Sequence, residues 1–165
     1  MPIRIKTISR EIDHPVESAW NAINDYENFH RMSGGVESID LIDGPATGLG
    51  AQRVCHLYDG SKLVEKISDY KEGELVEIDL LESPFPLKEL KLRMSVESID
   101  DSRTKISLDT LFQPKYGPIG WLMGNLMMKP LFKRRLKGLL KGIDDHLTTG
   151  RVILKNGKLG KAIES

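Results

Sequence analysis

The side chains most often used for catalysis are sparse in this sequence and follow no familiar catalytic pattern. Four histidines are scattered along 165 residues, and the single cysteine, Cys55, is followed directly by His56. If both lie in one regular strand, their side chains point to opposite faces, which excludes a Cys/His dyad built from this pair. The sequence has no CxxC or HExxH spacing, no GxSxG turn and no phosphate-binding loop. It therefore predicts neither a metal site nor an organic cofactor.

Two charged residues within apolar segments are better candidates for chemistry. Arg53 lies in GAQRVCHL and Glu65 lies in SKLVEKIS. Strand alternation places Cys55 and Leu57 on the face of Arg53. If that face is buried, the two charges must pair with each other or with a ligand. An arginine can hold a carboxylate or a polarised carbonyl at the end of an apolar ligand, and the alternative is a solvated position at the strand rim.

The elements that must position these residues follow from hydrophobic periodicity. Alternating isoleucines over residues 3–12 indicate a first strand, and a short amphipathic helix is built around Trp20. Further strands are predicted at 36–43, 51–58, 62–71, 74–82, 88–99 and 104–113. Turn sequences such as Asp59-Gly60 separate them and suit tight hairpins. Consecutive strands joined in this way, with no βαβ alternation, indicate an antiparallel meander.

The last large element is a basic amphipathic helix predicted from about Pro118 to Leu147, with an apolar stripe of leucines. Pro130 is expected to kink it or to divide a short helix from a long one. Lysines recur every four residues on another face: Lys129, Lys133, Lys137 and Lys141. Residues 1–150 are predicted to form one domain, and residues 151–165 a turn-bearing or loose tail.

Composition limits the class of protein. A chain of 165 residues suffices for one domain with a sizeable core. No apolar run approaches the roughly 18 residues that a membrane span requires. The charged, alternating N-terminus is typical of a strand and not of a signal peptide. Because one cysteine cannot form an internal disulfide, a reducing, cytoplasmic location is predicted.

The charge is unevenly distributed along the chain. Residues 1–114 contain 13 basic and 21 acidic residues, whereas residues 115–165 contain 11 basic and 3 acidic residues. Nucleic acid is not a predicted partner, because the basic residues are not interleaved with exposed aromatic ones and the acidic part would repel phosphates. The lysine stripe, with Trp121 and Phe132 nearby, could contact an anionic membrane transiently. The simpler alternative is a solvated helix face.

Several segments resemble a known family. They are AWNAINDYENFHRMSGGVESI, GLGAQRVCHLYDGSKLVEKISDY, ESPFPLKELKLRMSV and ISLDTLFQP. Over about residues 3–147 the chain resembles the START/polyketide cyclase-dehydrase superfamily, which includes birch-pollen-allergen-like proteins. The resemblance implies an α+β helix-grip fold, in which a curved antiparallel sheet wraps around a long C-terminal helix and leaves a cavity. That superfamily includes lipid carriers, hormone receptors, ring cyclases and hydrolases, so its implication for function is broad.

The resemblance also implies that Arg53 and Glu65 face the cavity, and strand alternation and the methionines at the start of the last helix suggest the other positions. The expected ligand-binding residues are Trp20, Arg53, Cys55, Glu65, Leu80, Phe85, Leu92, Met94, Phe112, Trp121, Met123 and Met127. Loops 44–50 and 83–87 are expected at the cavity mouth, with Phe85 as a lid side chain. Ordinary core packing is the alternative for most of the apolar positions, and the methionines also suit irregular core gaps.

The predicted function is binding of a small hydrophobic or amphipathic ligand, such as a lipid, polyketide or isoprenoid-like molecule, by a carrier or sensor. The alternative is a cyclase, aromatase or dehydratase acting on a similar ligand. Such an enzyme can work with a shaped pocket and one or two acid/base groups, here Arg53 and Glu65. A third possibility is an interaction module that uses the basic helix.

Overall fold

The computed structural model describes residues 1–163, in which a curved sheet of seven strands carries helices on its concave face. The strands of this sheet are β1 (Ile3–Ile12), β2 (Val36–Leu41), β3 (Gln52–Leu57), β4 (Lys62–Lys71), β5 (Leu75–Glu82), β6 (Leu87–Asp100) and β7 (Arg103–Pro114). The α-helices are α1 (Val16–Asn24), α2 (Gly117–Met123) and α3 (Lys129–Thr149). This architecture confirms the predicted α+β helix-grip fold.

The sheet is antiparallel throughout, in the order β1-β7-β6-β5-β4-β3-β2. Strands β2 to β7 form the predicted meander, and β1 closes it by pairing with β7. The register places Arg53 of β3 directly opposite Glu65 of β4, and Glu65 opposite Leu80 of β5. On β6 and β7, Leu92 is opposite Thr110. Side chains from five neighbouring strands therefore share one region of the concave face.

Apolar residues at helical spacing continue beyond the first helix to Tyr26 and Phe29, but the helix itself is shorter than this apolar stripe. It begins after Pro15, which occupies the N-cap, and ends at Asn24. A separate 3₁₀ helix, Phe29–Met32, follows. The apolar side chains beyond α1, including Tyr26, remain buried. Burial of the stripe is thus achieved by two short helices and not by one long helix.

The helical region near the C-terminus is divided into α2 and α3, as Pro130 predicted. The division lies before this proline and not at it. A π-helical turn, Gly124–Met128, joins α2 to α3, and Pro130 lies in the first turn of α3. Proline removes one backbone donor at the point where the hydrogen bonding changes from the π-helical pattern, in which the Lys129 N–H donates to the carbonyl of Gly124, to the α-helical one.

The segment after α3 forms a hairpin. Strands β8 (Arg151–Ile153) and β9 (Leu159–Ala162) pair with each other, with a 3₁₀ turn between them. Ile153 is 1% exposed, so the hairpin is anchored by a buried side chain. The sequence predicted either a turn-bearing or a loose tail over residues 151–165. Residues 151–162 form the turn-bearing hairpin, and residues 164–165 lie outside the described residues.

Buried apolar side chains on the concave face form two clusters. The larger one, the packed end, contains Ile12, Ala19, Trp20, Ile23, Tyr26, Phe29, Met32, Ala51, Ile67, Val76, Ile78, Met94, Val96, Ile106, Leu108, Leu140 and Ile143. The smaller one, the hollow end, contains Ile3, Ile5, Leu87, Phe112, Met128 and Phe132. Helix α1 and the second half of α3 cover the packed end. The first half of α3 covers the hollow end, and it leaves space beneath it.

Candidate functional site

A cavity of about 170 Å³ lies between the first half of α3 and the middle strands of the sheet. Its wall contains Leu63, Glu65, Leu80, Phe85, Leu90, Leu92, Thr110, Phe132, Arg135 and Leu136. Seven of these ten side chains are apolar, and the other three supply a carboxylate, a hydroxyl and a guanidinium. A mostly apolar space with a few polar groups is typical of a small-molecule site.

Three phenylalanines define the end of the cavity beneath α3. The Phe132 ring lies edge-on to Phe85, with centroids 5.5 Å apart, and edge-on to Phe112, with centroids 5.1 Å apart. Phe85 lies between Pro84 and Pro86 in the loop that leads into β6. The Arg135 guanidinium carbon is 5.7 Å from the centre of the Phe85 ring, a cation–π contact. The loop and α3 thus meet through aromatic side chains at the cavity mouth.

Arg53 and Glu65 form an ion pair at the inner side of the sheet. Arg53 Nε and Nη2 each lie 2.8 Å from Glu65 Oε2, and the side chains are 4% and 16% exposed. Residues opposite each other on neighbouring antiparallel strands have Cβ atoms about 5 Å apart, so strand register alone brings the pair together.

Further contacts hold the guanidinium. Arg53 Nη1 donates to the backbone carbonyl of Tyr26 at 2.8 Å, and the guanidinium carbon lies 3.9 Å from the Tyr26 ring centroid and 5.1 Å from that of Phe29. Burial by itself lowers the pKa of Arg53, but Glu65, Cys55 and Tyr26 outweigh it and the pKa is raised. Arg53 is therefore a fixed cation, and it is not part of the cavity wall.

The two carboxylate oxygens of Glu65 have different environments. Every hydrogen bond that residues 1–163 make to this carboxylate goes to Oε2, while Glu65 also lines the cavity. Oε1 is thus available as an acceptor for a ligand donor. Because Arg53 compensates the charge, a neutral hydroxyl or amide suits this position better than a second carboxylate.

Thr110 is the other polar residue in the apolar part of the wall. It is 4% exposed, and its hydroxyl is buried without a hydrogen-bond partner among the described residues. A buried hydroxyl without a partner costs about 1–3 kcal/mol. Rotation about the Cα–Cβ bond exchanges hydroxyl and methyl, so the hydroxyl can turn toward a ligand. Thr104, on the same strand, instead donates to the carbonyl of His14 at 2.7 Å.

Cys55 lies beside the ion pair but has no nucleophilic character. Its sulfur is 3.6 Å from Glu65 Oε2. Burial, together with the charge of Glu65, raises the pKa of the thiol to about 12. His56 projects from the other face of β3, where its Nε2 lies 2.8 Å from Asp40. The strand geometry thus separates the two side chains, as alternation predicted.

The predicted site residues fall into three groups. Glu65, Leu80, Phe85 and Leu92 line the cavity, and Phe112 packs beneath it against Phe132. Arg53 and Cys55 lie beside Glu65. Trp20 and Met94 belong to the packed end, where the Trp20 ring is 5.7 Å from that of Tyr70. Trp121, Met123 and Met127 are exposed on the outside of the helical region and line no part of the cavity.

The predicted mouth loops are also placed differently. Thr47 of the 44–50 loop donates to the backbone and side-chain oxygens of Asn24 at the end of α1, and this loop supplies no lining residue. The 83–87 loop supplies Phe85. The expected set lacked Arg135, Leu136 and Phe132 from α3. Phe132 and Leu136 could have been found from their four-residue spacing after Met128, which marks the inward stripe.

The described residues contain neither a cluster of metal ligands nor a helix that could span a membrane. Among residues 1–163, no group of three or more His, Cys, Asp or Glu side chains could hold a metal ion. Within the same range, each helix is too short or too polar to cross a membrane.

A sequence model of the family described as "Polyketide cyclase / dehydrase and lipid transport" matches residues 6–148. The chain belongs to this family. The match covers the whole sheet except the first residues of β1, and it ends one residue before the end of α3. No curated protein sequence matches the chain.

Several solved structures share the fold. The Zhui aromatase/cyclase from Streptomyces sp. R1128 is 12% identical with a TM-score of 0.76, covering 90% of this chain and 94% of that chain. The protein XoxI from Bacillus cereus is 18% identical with a TM-score of 0.72, covering 88% and 96%. A START superfamily protein from Mycobacterium smegmatis is 13% identical with a TM-score of 0.71, covering 88% and 97%. At these identities the likeness concerns the fold alone.

Proposed function

We propose that the protein binds a small apolar ligand carrying a hydroxyl group, as a carrier or sensor. The observation that carries this proposal is Thr110, which lines the apolar cavity and whose buried hydroxyl has no hydrogen-bond partner among residues 1–163. Glu65 lines the same cavity, and its Oε1 accepts no hydrogen bond from these residues. The family includes lipid-transport proteins by its description, which agrees with this class of ligand. A cytoplasmic location stays a prediction.

The cavity limits the size of what it encloses. Its volume of about 170 Å³ is below the roughly 300–1,000 Å³ of pockets that enclose drug-sized ligands. A cavity of about 150 Å³ lined by leucine, isoleucine and phenylalanine holds one benzene ring. The enclosed part of the ligand is therefore one ring or a short acyl chain. A longer ligand would emerge beside Phe85 and Arg135, where the guanidinium suits a polar or anionic end.

A matched pair of probes tests the hydroxyl requirement. Phenol and benzene share one ring and differ by one hydroxyl, so calorimetric titration of each isolates the polar contact. Wild type is expected to bind phenol about five- to tenfold more tightly, the size of one net hydrogen bond. Thr110→Val should remove this preference, and the control Thr104→Val should keep it. Failure of both probes to saturate, or equal affinity in wild type, would contradict the proposal.

Native mass spectrometry of the purified protein identifies the natural ligand class. A reproducible adduct that persists when the expression host is changed would support a carrier. Adducts that change with the host would show binding of whatever apolar molecule is abundant.

The enzyme alternative rests on Glu65, whose carboxylate faces the cavity while Arg53 holds it in place. In a cyclase, aromatase or dehydratase this group would be the general base. Glu65→Gln separates the two functions once a ligand is known. In an enzyme it abolishes product formation with binding largely kept, whereas in a carrier it changes binding alone.

A further inference from the structure

Large apolar side chains are concentrated on the outside of the helical region between β7 and the middle of α3. This outer face comprises Tyr116, Ile119, Trp121, Leu122, Met123, Leu126, Met127 and Leu131, all of them exposed. Ile119, Leu126 and Met127 are 71%, 68% and 67% exposed. Single exposed leucines are ordinary on protein surfaces, but a contiguous group of this size marks an interaction site.

The structure shows why these side chains cannot turn inward. The side that faces the protein carries Gly120 and Gly124, one turn apart. A Cβ at Gly120 would lie 1.6 Å from the carbonyl oxygen of Lys115, and one at Gly124 would lie 2.5 Å from Ile3 Cδ1. The backbone therefore lies directly on the end of β7, with no room for larger residues. This reverses the usual amphipathic helix, in which the large apolar residues face the core.

Positive charge surrounds the outer face. Residues 115–143 contain seven Lys or Arg residues and no Asp or Glu. Of these, Lys141 pairs with Asp145 at 2.6 Å. The six others, Lys115, Lys129, Lys133, Arg134, Arg135 and Lys137, have no carboxylate within ion-pair distance among residues 1–163. Residues 1–114, by contrast, are acidic on balance, with 13 basic against 21 acidic residues.

We propose that the outer face docks on an anionic lipid membrane. Exposed leucine, isoleucine and methionine would enter the interface, where Trp121 and Tyr116 have the aromatic chemistry that favours the headgroup level. The surrounding lysines and arginines would meet anionic headgroups. A second copy of this chain fits less well, because an isologous contact would bring two rings of unpaired cations together.

Docking would place the cavity mouth beside the lipid. The stretch of α3 that carries Leu131 of the outer face also carries Phe132, Arg135 and Leu136 in the cavity wall. The π-helical turn carries Leu126 and Met127 of the outer face, and such turns are frequent at functional sites. The proposal does not depend on the ligand, because the outer face contributes no side chain of the cavity wall.

The first test is co-sedimentation with vesicles of phosphatidylcholine alone and of phosphatidylcholine with about one-third phosphatidylglycerol. Wild type should bind the anionic vesicles, and binding should fall as salt rises. The double variant Leu126→Glu/Met127→Glu should lose binding by at least tenfold. Leu81→Glu is the matched control, since Leu81 is 52% exposed on the sheet, and it should bind like wild type.

The contribution of the lysines to vesicle binding is tested separately. Lys133→Glu/Lys137→Glu should weaken binding on the order of fivefold or more for each lysine replaced, because each cation at an anionic surface contributes about that factor. Lys62→Glu/Lys66→Glu, on β4, is the matched control and should leave binding unchanged. Equal binding by the two double variants would overturn the proposal.

A spectroscopic readout reports which surface touches the lipid. The chain has two tryptophans, of which Trp20 is 7% exposed and Trp121 is 40% exposed. Anionic vesicles should therefore shift the emission to the blue, and Trp121→Phe should abolish the shift while binding persists. If wild type instead forms a dimer that Leu126→Glu/Met127→Glu dissociates, and neither binds vesicles, the face is an interface between copies and the proposal is wrong.

Discussion

The two ends of the concave face are built from the same alternating strands but differ in what covers them. At the packed end, α1, the 3₁₀ helix and the second half of α3 fill the space, and Ile143 and Leu108 are fully buried. At the hollow end, the first half of α3 and the Phe85 loop cover the sheet and leave about 170 Å³ between them. Helix α1 spans nine residues and reaches only part of the sheet. The packed end is therefore filled by apolar side chains, and the hollow end contains the candidate site.

The first test compares how much stability is lost when one large apolar side chain is truncated to alanine at each end. Ile143→Ala should lower the free energy of unfolding by about 4 kcal/mol, because it opens a void in a filled cluster. Leu80→Ala should cost about 1–2 kcal/mol, because Leu80 already borders a cavity and is partly exposed. Urea unfolding of each variant measures the difference. Equal losses would mean that the cavity is closed in solution.

The second test concerns the ion pair between the two ends. Glu65→Ala leaves the buried Arg53 cation without its partner and should cost about 3 kcal/mol. Glu74→Ala, which breaks an exposed pair with Lys71, should cost less than about 1 kcal/mol. The double variant Arg53→Met/Glu65→Leu should recover part of the loss, although the Tyr26 carbonyl then lacks its donor. A double variant less stable than Glu65→Ala would show that the pair itself stabilises the fold.

The third test compares two threonines on β7, one at each end. Thr104→Val removes a hydrogen bond to the His14 carbonyl and should lower the free energy of unfolding by about 1 kcal/mol. Thr110→Val removes a hydroxyl without a partner and should raise it by about 1 kcal/mol, with loss of ligand preference. Thermal unfolding of both variants measures the opposite signs. A loss of stability in both would indicate that the Thr110 hydroxyl is satisfied in solution.

The smallest effect concerns His30 at the packed end. Burial lowers the pKa of His30, and its Nδ1 is buried without a partner among the described residues. The unfolded chain, with a histidine pKa of about 6.5, therefore binds more protons than the folded chain. Stability is fully present above that value and falls as the pH drops toward the folded pKa. Urea unfolding at pH 7.5 and 5.5 should show that His30→Gln loses less free energy of unfolding than wild type between these values. An equal loss in both proteins would contradict this role of His30.

The sequence predicted the fold because the order of elements depends on local signals. Alternation gave every strand of the sheet to within a few residues, and the family resemblance is confirmed by the match over residues 6–148. The opposed pair Arg53 and Glu65 also follows from strand register.

The position of the cavity could not be predicted in the same way. Leu92 and Met94 alternate identically on β6, yet Leu92 lines the cavity and Met94 is buried at the packed end. The difference arises from which helix lies above each residue. The outward direction of Trp121 was equally hidden, because it depends on the close contact of Gly120 and Gly124 with the end of β7. The position of the cavity and the outward direction of Trp121 both depend on tertiary packing. The local spacing of apolar residues does not reveal them.

The loop that carries Phe85 has a kinetic consequence. Pro84 and Pro86 fix their own backbone torsions and restrict the residue before each, so Ser83 to Pro86 has few alternative conformations. The loop cannot swing open as a flexible flap. Exchange of a bound molecule past this loop would instead require the Phe85 ring to rotate or α3 to shift away from it. A surface that displaces α3 would therefore shorten the residence time of a bound molecule.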